Sequence, residues 1–205
     1  MAAARIATIP NLITLVRLGC IPLFLWLLLD RNDPLGAAYL LGGLGATDSL
    51  DGFVARRFNQ VSEFGKILDP VADRILFIVC AGAMIVDNAV PRWFASIIVA
   101  REMLLGGTLA LLTAFGMKRF DVTWWGKLAT FALMFTFPLF LVHAAGVSFW
   151  STFCWWAAWI IGLPGLIISL VTAVAYIPTM MVALRTGRAE RLAAGAPATA
   201  GRTTD

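Results

Sequence analysis

Apolar windows of roughly 20 residues, the length that carries a helix across about 30 Å of hydrocarbon, recur along this chain. They fall near 12–29, 36–57, 67–87, 93–115, 126–145 and 152–184. Breaker clusters separate them: Asp30 to Pro34, Asn59 to Gly65, Asp87 to Pro91, Gly116 to Thr123 and Gly146 to Ser151. Only 14% of the residues are charged and 60% are hydrophobic, whereas soluble domains carry about a quarter charged residues. The pattern predicts an all-α membrane protein, a bundle of six transmembrane helices. Pro164 or Pro178 could kink the last window, which reads as one segment or two.

Loop charge orients the bundle. With the N-terminus in the cytoplasm, Arg5, Arg56, Arg57, Lys66, Lys118, Arg119, Arg185, Arg188, Arg191 and Arg202 fall inside, and only Arg31 and Arg92 fall outside. That asymmetry follows the positive-inside rule and puts both termini in the cytoplasm. The net charge of +4 is spread over short loops, so it reports topology and gives no footprint for nucleic acid. The first window lacks a cleavage site and reads as a retained helix. Residues 1–185 form one membrane domain, and 186–205, rich in Ala, Gly and Thr, read as a disordered cytoplasmic tail.

Several residues carry no chemistry on this reading. Cys20, Cys80 and Cys154 are scattered through apolar runs without ligand spacing. His143 sits at the non-cytoplasmic end of its span, where packing is expected. Trp93, Trp124, Trp125, Trp150, Trp155, Trp156 and Trp159 fall at span ends, as an aromatic belt would. Gly106 and Gly107 suggest close helix contact.

The acids are different. Asp48, Asp51, Asp69 and Asp73 all lie in or beside apolar windows, where an unpaired carboxylate costs on the order of 3 kcal/mol. Asp48 and Asp51 are three apart and share one helix face, and Asp69 and Asp73 are four apart on the next. Pro70 predicts that the third helix begins or kinks at Asp69. A short cytoplasmic loop between the two helices lets the carboxylates converge. Two divalent cations would neutralise such a set, Mg²⁺ by preference with Mn²⁺ as substitute. Gly52 and Ala55 allow close approach of a nucleotide or of a neighbouring helix, and Arg56 suits a diphosphate oxygen or an interfacial topology charge.

The frame Asp48-x-x-Asp51-Gly52-x-x-Ala55-Arg56, then eight residues, then Gly65-x-x-x-Asp69-x-x-x-Asp73 resembles the signature of the CDP-alcohol phosphatidyltransferases. Pro10-Asn11-x-x-Thr14-x-x-Arg17 is similar to the opening of many bacterial members. The resemblance implies a six-helix homodimeric membrane enzyme with a polar cavity facing the cytoplasm. It implies that Asp48, Asp51, Asp69 and Asp73 hold two metal ions and that Asp73 is also the general base. Gly52, Ala55, Arg56 and Gly65 would line the CDP site. An alcohol would attack the β-phosphorus of the donor and release CMP.

Ile9-Pro10-Asn11, Asp69-Pro70-Val71-Ala72-Asp73, Ala100-Arg101-Glu102 and Gly126-Lys127 resemble the bacterial branch of phosphatidylglycerophosphate and cardiolipin synthases, which implies CDP-diacylglycerol as donor. Glycerol 3-phosphate users in that branch often carry a second lysine, a glutamine and a further arginine where this chain has Ala129, Leu133 and Leu109. Fewer charge-assisted donors for a free phosphomonoester favour phosphatidylglycerol as acceptor over glycerol 3-phosphate. Arg101 and Lys127 are the candidate acceptor-binding cations. The alternatives are that Arg101 pairs with Glu102 or a metal-site aspartate and that Lys127 snorkels to the interface. A divalent-cation transporter would spread its acids along the membrane depth, and a membrane prenyltransferase would separate two aspartate motifs widely; neither matches this spacing.

Orientation is testable with single cysteines in a chain whose own three are replaced by alanine. Gln60→Cys should react with an impermeant maleimide only from the cytoplasmic side, and Asn88→Cys only from outside. The reverse labelling would contradict the assignment.

Overall fold

A computed structural model describes residues 9–58, 65–114 and 123–195, with the backbone alone near the ends of these segments. Every regular element among the described residues is helical. The helices are α1 (Ile9–Leu25), continued by a π-helical turn over Trp26–Asp30, then α2 (Pro34–Phe58), α3 (Gly65–Asp87), α4 (Arg92–Ala114), α5 (Trp124–Ala144) and α6 (Ser148–Gly195). They match the six apolar windows to within a few residues at most ends. Two of them, Trp124–Ala144 and the Trp150–Leu184 part of α6, are long and apolar enough to cross a membrane by length and composition.

Two expectations change in detail, and one left open is resolved. The third helix neither waits for Asp69 nor begins there: α3 starts at Gly65 and runs through Pro70. Pro70 stands little more than one turn inside the helix start, where its missing N–H removes a single bond. The last window is one continuous helix with Pro164 and Pro178 inside it. Its 48 residues extend about 70 Å at 1.5 Å per residue, far more than a bilayer core requires. The segment after 185 is helical through Gly195, since Arg, Ala, Glu and Leu are all strong helix formers. Residues 196–205 lie outside the described residues.

Short turns join the helices at one end of the bundle. Asn32 (φ 50°), Asn88 (φ 61°) and Gly146 (φ 67°) take the left-handed conformation there, which Asn and Gly adopt at least cost. Asp33 begins α2 as an N-cap, its Oδ1 accepting from Gly36 N at 2.8 Å, with Pro34 in the first helical position. Beneath these turns Phe94 stacks edge-on to Phe140 and Trp159, with centroids 5.7 and 5.5 Å away. Trp155 joins Phe140 at 5.7 Å. Trp155 and Trp159 thus pack against the core, whereas Trp93, Trp124, Trp125, Trp150 and Trp156 remain exposed as a belt requires. His143 lies over Trp155 at 4.5 Å and shares a 3.0 Å hydrogen bond between Nδ1 and Ser151 Oγ, a packing role.

Helix contacts rely on small residues. α5 packs most extensively on α6, and the approach is closest at Gly162 and Gly165. A Cβ at Gly162 would stand 2.6 Å from Thr136 Cγ2 and 3.0 Å from Phe94 Cζ, and one at Gly165 would stand 3.1 Å from Ala132 Cβ. α2 meets α5 through Gly45, where a Cβ would lie 3.0 Å from Met134 Cε. α3 packs against α1 and α4. Threonines inside the helices return their hydroxyls to the preceding turn, as Thr136 does to Ala132 O at 2.8 Å, so these hydroxyls are satisfied within their own helix.

Overpacking at the α5–α6 contact should be costly. Gly162→Val is expected to destabilise the protein by about 1–3 kcal/mol, read as a lowered thermal midpoint in detergent. Gly82→Ala, where a Cβ meets nothing within 4 Å, should leave the midpoint unchanged or raise it. Equal behaviour of the two variants would contradict this packing.

Candidate active site

Toward the end of the bundle opposite the short turns, all six helices border one cavity of about 290 Å³. Asp73 faces it from α3, about two turns inside the cavity-side end of that helix. Its carboxylate forms an ion pair with the guanidinium of Arg17 on α1. Arg17 is 5% exposed and Thr14, one turn earlier on the same face, is 2% exposed. A buried guanidinium without a counter-charge would be strongly destabilising in such surroundings, so the Arg17–Asp73 pair ties α1 to α3. The side chain of Asp73 is 44% exposed and so is open to a ligand.

The next residue, Arg74, also lines the cavity and turns toward α4, where its Nε lies 3.5 Å from Glu102 Oε2. Glu102 Oε1 holds the guanidinium of Arg101. Both alternatives read for Arg101 therefore coexist: it pairs with Glu102 and it borders the cavity. Lys127 does not border it. Its side chain is exposed, and it is the neighbouring Gly126, with Thr130, that faces inward from α5. The start of α5 is fixed by Tyr176 of α6, whose Oη accepts from Thr123 N at 3.0 Å and lies 3.0 Å from Thr123 Oγ1. Thr123 in turn caps α5.

The rest of the wall is apolar: Leu41, Phe77, Leu105, Leu109, Phe137 and Met180 are among its residues. Tyr176 and Met180 of α6 form a small cluster with Leu105, Leu109 and Leu112 of α4. The site thus combines three guanidiniums and two carboxylates with a hydrocarbon-like surface.

The other candidate residues lie at the ends of the two helices that meet the 59–64 connection. Asp48, Asp51, Gly52, Ala55 and Arg56 are on α2, and Gly65 and Asp69 on α3. Their side-chain surroundings lie outside the described residues, and among the described residues no group of three metal-ligating side chains occurs. Asp73 itself suits a metal centre, being an open carboxylate that already draws a cation. Arg17, noted only within the opening motif, and Arg74 were missed as site residues in the sequence, whereas the pairing of Arg101 with Glu102 was one of its expectations. The available signal was a basic residue in the middle of an apolar window, at Arg17, and another directly after the last aspartate, at Arg74.

Comparison with known proteins gives the family. The model of the CDP-alcohol phosphatidyltransferase family matches residues 7–164. The chain is 37% identical to the cardiolipin synthase (CMP-forming) of Streptomyces coelicolor over 174 residues, 75% of this chain and 80% of that protein. It is 33% identical to a putative cardiolipin synthase of Mycobacterium tuberculosis over 93% of both chains. With the CDP-diacylglycerol–glycerol-3-phosphate 3-phosphatidyltransferase of Bacillus subtilis it shares 30% identity over 66% of this chain and 77% of that protein. The resemblance carried by the aspartate frame is borne out: the chain belongs to the CDP-alcohol phosphatidyltransferase family and is a transferase of phospholipid biosynthesis.

Proposed function

We propose that this chain transfers the phosphatidyl group of CDP-diacylglycerol to phosphatidylglycerol, forming cardiolipin and CMP. The observation that carries this reading is the mixed character of the cavity beside Asp73. Its charged groups suit phosphates, and Leu105, Leu109, Tyr176 and Met180 between α4 and α6 suit the hydrocarbon of a lipid acceptor. Leu109 stands where a further cation would help to capture a free phosphomonoester. The similarity to cardiolipin synthases over most of the chain supports the same choice. Arg17, Arg74 and Arg101 on the wall favour the second reading, glycerol 3-phosphate as acceptor.

The enzyme works as a multi-pass protein of the cell membrane, with six spans, both termini and the active site cytoplasmic, and as a homodimer. Apolar side chains exposed on α3, α4 and α6, such as Val86, Leu104, Ile160 and Val174, support burial in lipid. Asp48, Asp51, Asp69 and Asp73 would hold two Mg²⁺ ions, replaceable by Mn²⁺. When bound, these ions offset the charge of the diphosphate and acidify the acceptor hydroxyl. Gly52, Ala55, Arg56 and Gly65 receive the CDP moiety. The Asp73 carboxylate takes the proton of the acceptor hydroxyl as its oxygen bonds to the β-phosphorus. The bond from that phosphorus to the oxygen of CMP then breaks. Positioning beside the base supplies much of the acceleration.

Purified protein given CDP-diacylglycerol and Mg²⁺ should release CMP and form cardiolipin with phosphatidylglycerol, at least about tenfold faster than it uses glycerol 3-phosphate. Turnover with glycerol 3-phosphate alone would overturn the acceptor assignment, and absence of CMP release would remove the transferase reading. Asp73→Asn should lower kcat by on the order of 10²- to 10⁴-fold while donor binding persists. Near-normal turnover of that variant at saturating Mg²⁺ would refute its role as base.

A further inference from the structure

Two arginines from different helices meet on one carboxylate in the cavity wall. Glu102 is 7% exposed and takes the Arg101 guanidinium on Oε1, while Oε2 faces Arg74 Nε at 3.5 Å. Arg74 reaches this carboxylate by lying across α4 at Gly106, one turn beyond Glu102. A Cβ at Gly106 would stand 2.8 Å from Arg74 Cζ and 2.9 Å from its Cδ, and would collide with Nη1. Gly107 has open space at the same distance. Gly106 therefore makes room for a guanidinium, where the sequence had suggested room for a helix.

The arrangement leaves positive charge over. One carboxylate faces two guanidiniums, and the Arg101 side chain is 9% exposed with its Nε buried and without a hydrogen-bond partner. A buried donor left unsatisfied is costly, and a bound anion with several acceptor oxygens would relieve it. We propose that Glu102 and Gly106 form a seat on α4 that holds Arg74 and Arg101 as a paired cradle for the phosphate of the acceptor. The inference rests on the reading that this cavity receives the acceptor.

The chemistry is common to the phosphodiester of phosphatidylglycerol and the phosphomonoester of glycerol 3-phosphate. In both, the reacting hydroxyl stands at the far end of a glycerol from the phosphate. Arg74 follows Asp73 in the chain and both face the cavity, so a phosphate on the cradle leaves the hydroxyl free to reach Asp73. Glu102 touches neither substrate and acts by holding the two arginines against their mutual repulsion; it is a positioning residue. A lysine could not replace Arg74, because the seat fits a planar group and the cradle uses a fork of donors.

Steady-state kinetics of the full-length enzyme in vesicles test the seat, with phosphatidylglycerol and glycerol 3-phosphate as alternative acceptors. For whichever acceptor turns over, Glu102→Gln should raise its KM about tenfold or more and leave the KM for CDP-diacylglycerol unchanged. Gly106→Ala should do the same to a smaller extent, by pushing Arg74 off the seat. Placed on an Arg74→Gln/Arg101→Gln background, Glu102→Gln should add nothing to the acceptor KM, which a merely structural role would not predict. Should Glu102→Gln fail to fold, Arg74→Gln alone, which leaves the Arg101–Glu102 pair in place, carries the same expected rise. The seat is overturned if acceptor KM stays at the parent value in Arg74→Gln and Gly106→Ala, or if donor and acceptor KM rise together. Turnover with glycerol 3-phosphate alone would instead remove the phosphatidylglycerol assignment and leave the cradle to be judged on that acceptor.

Discussion

Charge pairing inside an apolar bundle is the constraint on which the rest of this structure depends. Arg17 of α1 answers Asp73 of α3, and Glu102 of α4 answers both Arg101 and Arg74. Each of these ions would be expensive alone in low-dielectric surroundings, and their mutual attraction does little more than repay desolvation. Leucines or phenylalanines of similar volume would hold the helices together as well. What the ions contribute is placement: they fix which faces of α1, α3 and α4 meet, and they gather charge around the carboxylate of Asp73.

The two ends of the bundle divide the work. Under the short turns at Asn32, Asn88 and Gly146, a dry cluster of Phe94, Phe140, Trp155 and Trp159 packs the helices closely. α5 and α6 continue this contact through Gly162 and Gly165. Toward the other end the helices part around the cavity, and ion pairs join the apolar contacts. The hydrogen bonds from Thr123 to Tyr176 hold the start of α5 against α6 there. A stiff end thus supports an end that must admit a CDP-alcohol donor and an alcohol acceptor, an arrangement that keeps reacting groups in register while leaving room for substrate.

Much of this was legible in the sequence, because hydrophobic windows and breakers are local signals. The helix bounds and the aspartate frame followed from spacing, and Arg101 was singled out by its resemblance to a family string. What spacing does not encode is which helices become neighbours. Arg17 and Asp73 are far apart in the chain, and only the packing of α1 on α3 makes them partners. Gly106 reads as a helix-contact glycine until Arg74 is seen to cross it. Lys127 and Gly126 are adjacent, yet a rotation of about 100° per residue turns the lysine outward and the glycine inward. The helical continuation to Gly195 was hidden by composition, since Ala, Thr and Gly suggest disorder although the intervening Arg, Glu and Leu favour helix.

The central claim is that a phosphatidyl group moves from a cytidine diphosphate to a lipid hydroxyl at Asp73. Following the β-phosphorus tests it most directly. With CDP-diacylglycerol carrying ³²P at that atom, and with unlabelled phosphatidylglycerol, the account predicts label in cardiolipin and unlabelled CMP. Label recovered in a water-soluble product, or cardiolipin formed without it, would contradict the account.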